Sequence, residues 1–214
     1  MTDQTTIARP QNPEPAAETG LPGFARRRPF ALVMLVSGVI GWIASGILVL
    51  ERLQLYRDPN HVTSCDINPW VSCGQVMSTW QSELFGFPNP FIGIVAYAVV
   101  LAVAVGVLAG ARYARWFWWL LWLGIAAGSV FTLWLWWQTT FHINALCLYC
   151  MIVWAAMIPL FILLTVRNLV HGVIPAPARL VHFASDWAWT LVAIAYVAVA
   201  ASVFFRFFTV FTGL

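Results

Sequence analysis

Five stretches of this chain contain no Asp, Glu, Lys or Arg: residues 30–50, 90–111, 116–137, 143–166 and 187–205. Each is as long as the roughly 20 helical residues needed to cross ~30 Å of hydrocarbon. In lipid a backbone must satisfy its own polar groups, so only helices and closed barrels can span it. Barrel strands alternate in polarity, and these runs do not. The rival explanation, a helix buried in a protein core, would have to hold five times within 214 residues. Composition agrees with the first reading: 61% of the chain is apolar and 9% charged, against roughly a quarter charged in soluble domains. The expected fold class is therefore an all-α integral membrane protein with five transmembrane helices.

Arginine gives the bundle a direction. Arg26, Arg27 and Arg28 precede the first span, Arg112 and Arg115 separate spans two and three, and Arg167 and Arg179 separate spans four and five. Positive flanks stay cytoplasmic, which puts the N-terminus inside and the C-terminus outside, in a multi-pass cell-membrane topology. The outer segments hold only Arg52, Arg57 and Arg206. Arg27-Arg28 faintly resembles a twin-arginine signal, but the apolar run of 21 residues that follows is longer than a signal core, so a retained anchor is expected. The organisation expected is a cytoplasmic tail over residues 1–29, disordered where it is rich in Pro, Ala, Thr and Glu. A core over residues 30–166 follows, with an external loop at 51–89, then a cytoplasmic linker at 167–186 and the fifth helix with a short external C-terminus at 187–214. In the loop, Val76, Met77, Trp80 and Leu84 are spaced as in a short helix lying on the surface. Asn89 suits the N-cap of span two, with Pro90 at its first helical position.

The absence of charge within the spans argues against proton relays and voltage sensing. What remains reactive is sulfur. Cys65 and Cys73 fall in the external loop, and Cys147 and Cys150 at the outer start of span four. All four thus sit on the side where disulfides persist. Cys147-Leu148-Tyr149-Cys150 is a CxxC at a helix start. Its two sulfurs share a face; the free N–H groups and helix dipole there favour thiolate, the low dielectric of nearby lipid opposes it, and Asn144 is placed to cap the turn. Three plainer readings stand beside redox shuttling: buried cysteines serving as small apolar residues, a structural disulfide clipping the loop, and a zinc site, which the seven residues between Cys65 and Cys73 fit poorly. Haem attachment is excluded, because Met151 stands where a CxxCH motif has histidine. His142 reads as a solvated loop side chain, Pro159 as a tolerated kink, and the many tryptophans at span ends as interfacial anchors.

The run Cys65-Asp66-Ile67-Asn68-Pro69-Trp70-Val71-Ser72-Cys73-Gly74-Gln75-Val76-Met77-Ser78-Thr79-Trp80, then Phe87-Pro88-Asn89-Pro90-Phe91-Ile92-Gly93, then the CxxC, resembles the vitamin K epoxide reductase family over about residues 30–166. The resemblance implies four helices around a quinone pocket, with the fifth helix outside that core. It implies that Cys147 and Cys150 form the active-site pair, that Cys150 reacts with quinone, that Cys147 exchanges with Cys73, and that Cys65 completes the loop pair and meets an external partner. Asn89 matches a position that hydrogen-bonds a quinone oxygen, and Thr79 a hydroxyl position near the pocket. Trp154 stands where animal members carry tyrosine, and its indole N–H donates but cannot accept. The implied function is a thiol-disulfide oxidoreductase that reoxidises a DsbA-like partner and passes the electrons to menaquinone or ubiquinone, supporting disulfide formation. Many bacterial relatives continue into a thioredoxin-like domain. This sequence ends at Leu214, so a separate thioredoxin-fold thiol oxidase is expected on the external side, besides lipid and quinone, with no metal and no nucleic acid. The alternatives are a quinone reductase of DsbB type on another helical fold, which the match at Asn89 disfavours, and a non-enzymatic membrane protein with structural disulfides.

Overall fold

A computed structural model of the chain describes residues 21–208. Five long helices account for the five apolar runs: α1 (Arg27–Arg57), α3 (Pro90–Leu108), α4 (Arg115–Trp137), α5 (Leu148–Val170) and α7 (Ala188–Arg206), with the shorter α2 (Cys73–Met77) and α6 (Ala178–Asp186) between them. All five are long and apolar enough to cross a membrane, and no strand forms among the described residues. The chain is an all-helical, multi-pass membrane protein.

Several boundaries differ from expectation, each for a local reason. The first helix runs past its apolar stretch to Arg57, because Glu51 and Arg52 both find partners at that end. The surface helix expected over residues 74–84 is broken into α2 and a 3-10 turn, Trp80–Glu83. Ser78 and Thr79 turn their hydroxyls back onto the carbonyls of Gly74 and Val76, at 2.7 Å each, and so compete with continued helix. The fourth span does not begin at residue 143. A π-helical turn (Gln138–Ile143) and left-handed Asn144 come first, and α5 starts at Leu148. Of the tail expected to be disordered, residues 1–20 lie outside the described residues. Gly23–Ala25 form a 3-10 turn with Phe24 and Ala25 buried beside α5, so order begins before Arg27.

Helices α1 and α3 pack along small residues. A methyl group on Gly41 would run into the Tyr97 ring, and one on Gly93 into Ser45. Such close approach drives helix association where lipid removes the hydrophobic incentive. The main core combines Phe30, Met34, Tyr97, Val100, Leu160 and Leu164 from α1, α3 and α5. Helix α5 is the hub, touching α1, α4, α6 and α7. Pro159 within it has no N–H to give the carbonyl of Ala155, and the Tyr196 hydroxyl of α7 donates to that carbonyl at 2.6 Å. The fifth long helix is thus fastened to α5 at the hydrogen bond that Pro159 leaves open. At the pole where α1 and α4 begin, the Arg167 guanidinium lies 3.7 Å from the centre of the Trp118 ring and 4.8 Å from that of Phe30. Gly172, at φ +63°, turns the chain out of α5 while the Asn168 carbonyl accepts from Val173 and Ile174. All four cysteines gather at the opposite pole.

Candidate functional site

The loop between α1 and α2 is held by two carboxylates. Asp66 accepts from the Ser72 hydroxyl at 2.6 Å, the Thr63 N–H at 2.8 Å and the Gly74 N–H at 3.0 Å. Burial opposes its ionisation, but these hydrogen bonds outweigh that and hold its carboxyl below the usual carboxylate range. Glu51, at the end of α1, accepts from the Ser64 N–H at 3.1 Å and faces the His61 ring at 3.2 Å. Ser72 caps α2 by accepting from Gln75 at 3.0 Å. Two backbone bonds, Ser72 N–H to the Leu146 carbonyl at 2.9 Å and Leu146 N–H to the Trp70 carbonyl at 2.8 Å, then stitch this loop to the strand-like residues before α5. The stitch brings the two cysteine pairs together.

Cys65 and Cys73 are joined in a disulfide with Cα atoms 5.6 Å apart, whereas Cys147 and Cys150 are free. The sulfur of Cys147 lies 3.2 Å from that of Cys73, and Cys65, Cys73 and Cys147 are all at most 1% exposed. Three sulfurs within 4.8 Å have the spacing of a metal site. Here two of them are engaged in a disulfide and offer no thiolate to a metal. Cys147 is itself the N-cap of α5, its sulfur accepting from the Cys150 N–H at 3.3 Å. The cap expected from Asn144 is not made. Asn144 sits at φ +56° and its side-chain oxygen accepts from Arg206 of α7, which takes it away from the turn.

Beside the sulfurs, α1, α3, α4, α5 and the loop line a partly open cavity of about 130 Å³. Cys150 lines it, while Cys147, one helical turn earlier, faces Cys73 instead. Thr79, Asn89 and Trp154 also line the cavity. Thr79 gives its hydroxyl hydrogen to Val76 and keeps its lone pairs. Asn89 occupies the cap position of α3, with Pro90 after it, but makes no cap. Its backbone is already helical, and its amide is drawn to the loop: Nδ2 donates to the Gln81 carbonyl at 2.7 Å and Oδ1 accepts from the Leu84 N–H at 3.3 Å. His142 is exposed and does not line the cavity.

The cavity also holds residues that sequence reasoning did not single out. Gln81 and Gln138 meet there, Nε2 to Oε1 at 3.4 Å, and Tyr97 crosses from α3 to donate to the Val153 carbonyl of α5 at 3.1 Å. Gln138 had a faint signal as the first polar residue after an apolar run, and Gln81 had none. The 3-10 turn that carries Gln81 is clamped to α1 by Glu83, which accepts from Tyr56 and pairs with Arg52. Those two partners, the Tyr56 hydroxyl first, hold the Glu83 carboxyl below its usual range.

The family model described as "Vitamin K epoxide reductase family" matches residues 32–165, more than half of the 214-residue chain. All four cysteines fall within the match and α7 lies beyond it. No curated protein matches the chain.

Proposed function

This chain belongs to the vitamin K epoxide reductase family, a family of oxidoreductases, and from that premise we propose that it reoxidises an extracytoplasmic DsbA-like thiol oxidase at the expense of a membrane quinone. The observation that carries this reading is the division of the CxxC pair: Cys147 touches the loop disulfide at 3.2 Å, while Cys150 lines a ring-sized cavity. The cavity, about 130 Å³ and partly open, is of the order of the roughly 150 Å³ that holds a benzene ring. Arg27 and Arg115 lie at the pole away from the sulfurs, and positive flanks stay cytoplasmic. That supports an external site.

The electron count closes as follows. One thiolate of the partner attacks Cys65, and Cys73 leaves as thiolate; the second partner thiol then completes the partner's disulfide and releases Cys65. Cys73 attacks Cys147 in the Cys147–Cys150 disulfide, and Cys150 leaves. Cys65 attacks Cys73, re-forming the loop disulfide and freeing Cys147. Two electrons and two protons have moved from the partner to the CxxC pair. The arrangement seen here, loop disulfide closed and Cys147 and Cys150 both thiols, is the state this sequence produces. A quinone, menaquinone or ubiquinone, accepts both electrons and both protons and leaves as quinol. Cys150 is the thiol presented to it, Cys147 closes the disulfide, and Thr79, Asn89 and Trp154 shape the ring's surroundings. DsbA-type partners sit at about −120 mV, and 30 mV is worth about 1.4 kcal/mol for two electrons, so electrons flow onward only to a quinone more oxidising than the partner.

The test uses purified protein in lipid vesicles with a reduced DsbA-like donor and ubiquinone. One quinol should form per donor disulfide, and Cys150→Ser should stop both. Donor oxidation that proceeds equally without quinone would contradict the proposal.

A further inference from the structure

Gln81 lines the cavity, and its side-chain oxygen Oε1 is buried without a hydrogen-bond partner. Several of the other polar groups there are engaged: Asn89 donates to the Gln81 carbonyl and accepts from the Leu84 N–H, and Thr79, Ser82, Thr132 and Thr139 give their hydroxyl hydrogens to backbone carbonyls. A buried carbonyl oxygen left unmet is costly, which marks a place where something else completes the bond. Gln81 is also well held. Its backbone carbonyl accepts from Asn89, its turn is clamped through Glu83 to α1, and its Nε2 reaches Gln138 Oε1 at 3.4 Å.

We infer that Gln81, tethered to Gln138, contacts a ring oxygen of the bound quinone and serves both of its redox states. The inference deepens the proposed function and rests on it. A quinone oxygen only accepts hydrogen bonds, whereas a quinol hydroxyl donates one. With Oε1 presented to the ring, Gln81 complements the quinol. A carboxamide rotated by 180° exchanges its oxygen for its NH2. If Gln81 and Gln138 rotate together, the bond between them survives with donor and acceptor reversed, and Gln81 then presents N–H to the quinone. The pair therefore follows the substrate from acceptor to donor without leaving a buried polar atom unmet in either state. An apolar residue at 81 would match neither state.

The experiment uses the full-length protein in lipid nanodiscs, a reduced dithiol donor and ubiquinone-1 as the probe. In Gln81→Leu, the KM for ubiquinone-1 and the inhibition constant for its quinol should both rise, by about five- to tenfold, as fits one neutral hydrogen bond. The quinone-free reaction of donor with the loop disulfide, followed in a single turnover, should keep its rate. Gln81→Met, unbranched and similar in length, should behave alike and guards against a packing defect in the leucine variant. Gln138→Leu should weaken both constants less. An unchanged KM in either Gln81 variant overturns the inference, since the oxygen is then satisfied by water alone. A rise in KM without a rise in the quinol constant overturns the two-state role. Loss of the quinone-free step in both Gln81 variants would show a structural role and overturn it as well. Wild-type protein that reduces no ubiquinone-1 would instead bring down the proposed function, and this inference with it.

Discussion

At the scale of single residues, the carboxylate of Asp66 decides whether the loop disulfide stays covered. It gathers Thr63, Ser72 and Gly74 around the Cys65–Cys73 bridge, and Cys65 is 1% exposed beneath them. Asp66→Ala leaves those three donors unmet and should cost about 2 kcal/mol, in the range for bonds to a charged acceptor. The rate at which dithiothreitol reduces the loop disulfide should rise accordingly. Because folding lowers the pKa of Asp66, its stabilisation is complete above the carboxyl's unfolded pKa and is lost as pH falls through its lower folded pKa. Reduction of the disulfide by a phosphine, whose attack needs no thiolate, should therefore accelerate only in strong acid, and in Asp66→Asn that acid step should disappear. Cys147→Ser should let a reduced donor drive the loop pair to the dithiol and stop quinone reduction; sustained turnover would remove Cys147 from the path. The gathering of the four cysteines at one pole was legible in the sequence, because the spans fix which ends of the helices they sit at. The caps expected of Asn89 and Asn144 were not, because each amide found a partner outside the turn it was to cap, Gln81 and Leu84 in the preceding loop for one and Arg206 of α7 for the other, and a cap pattern does not register such competitors.

At the scale of elements, lipid makes the long helices easy to read and their contacts hard. All five spans follow from the need to satisfy backbone groups without water, so their existence was legible and their ends were less so. The partition of residues 74–84 turned on two hydroxyls, at Ser78 and Thr79, which interrupt the apolar period, so that Val76 and Met77 are buried while Trp80 and Leu84 are exposed. Gly41→Ala is favourable by helix propensity, yet its methyl would meet the Tyr97 ring. Overpacking of this sort costs about 1–3 kcal/mol, and a lower midpoint of thermal unfolding in detergent should show that the crossing of α1 and α3 outweighs propensity. Tyr196→Phe leaves the Ala155 carbonyl unpartnered at the Pro159 break. Hydrogen bonds between membrane helices average about 0.6 kcal/mol, so the change should loosen α7 modestly: hydrogen exchange should quicken in α7 and stay unchanged in α1 and α3.

At the scale of the whole molecule, the fold acts as a frame that places one thiol against a disulfide and the next against a cavity. Two backbone bonds between the loop and Leu146 set the first contact, and the single turn of helix from Cys147 to Cys150 sets the second. Neither follows from periodicity, because both depend on how a loop folds back over the end of a bundle. The proposed relay requires direct exchange between Cys73 and Cys147. In a Cys65→Ala/Cys150→Ala double variant those two sulfurs are the ones left to pair. After oxidation of isolated membranes with diamide and digestion without reductant, mass spectrometry should find Cys73 and Cys147 joined in one cross-linked peptide. Recovery of both as separately alkylated thiols would contradict the account.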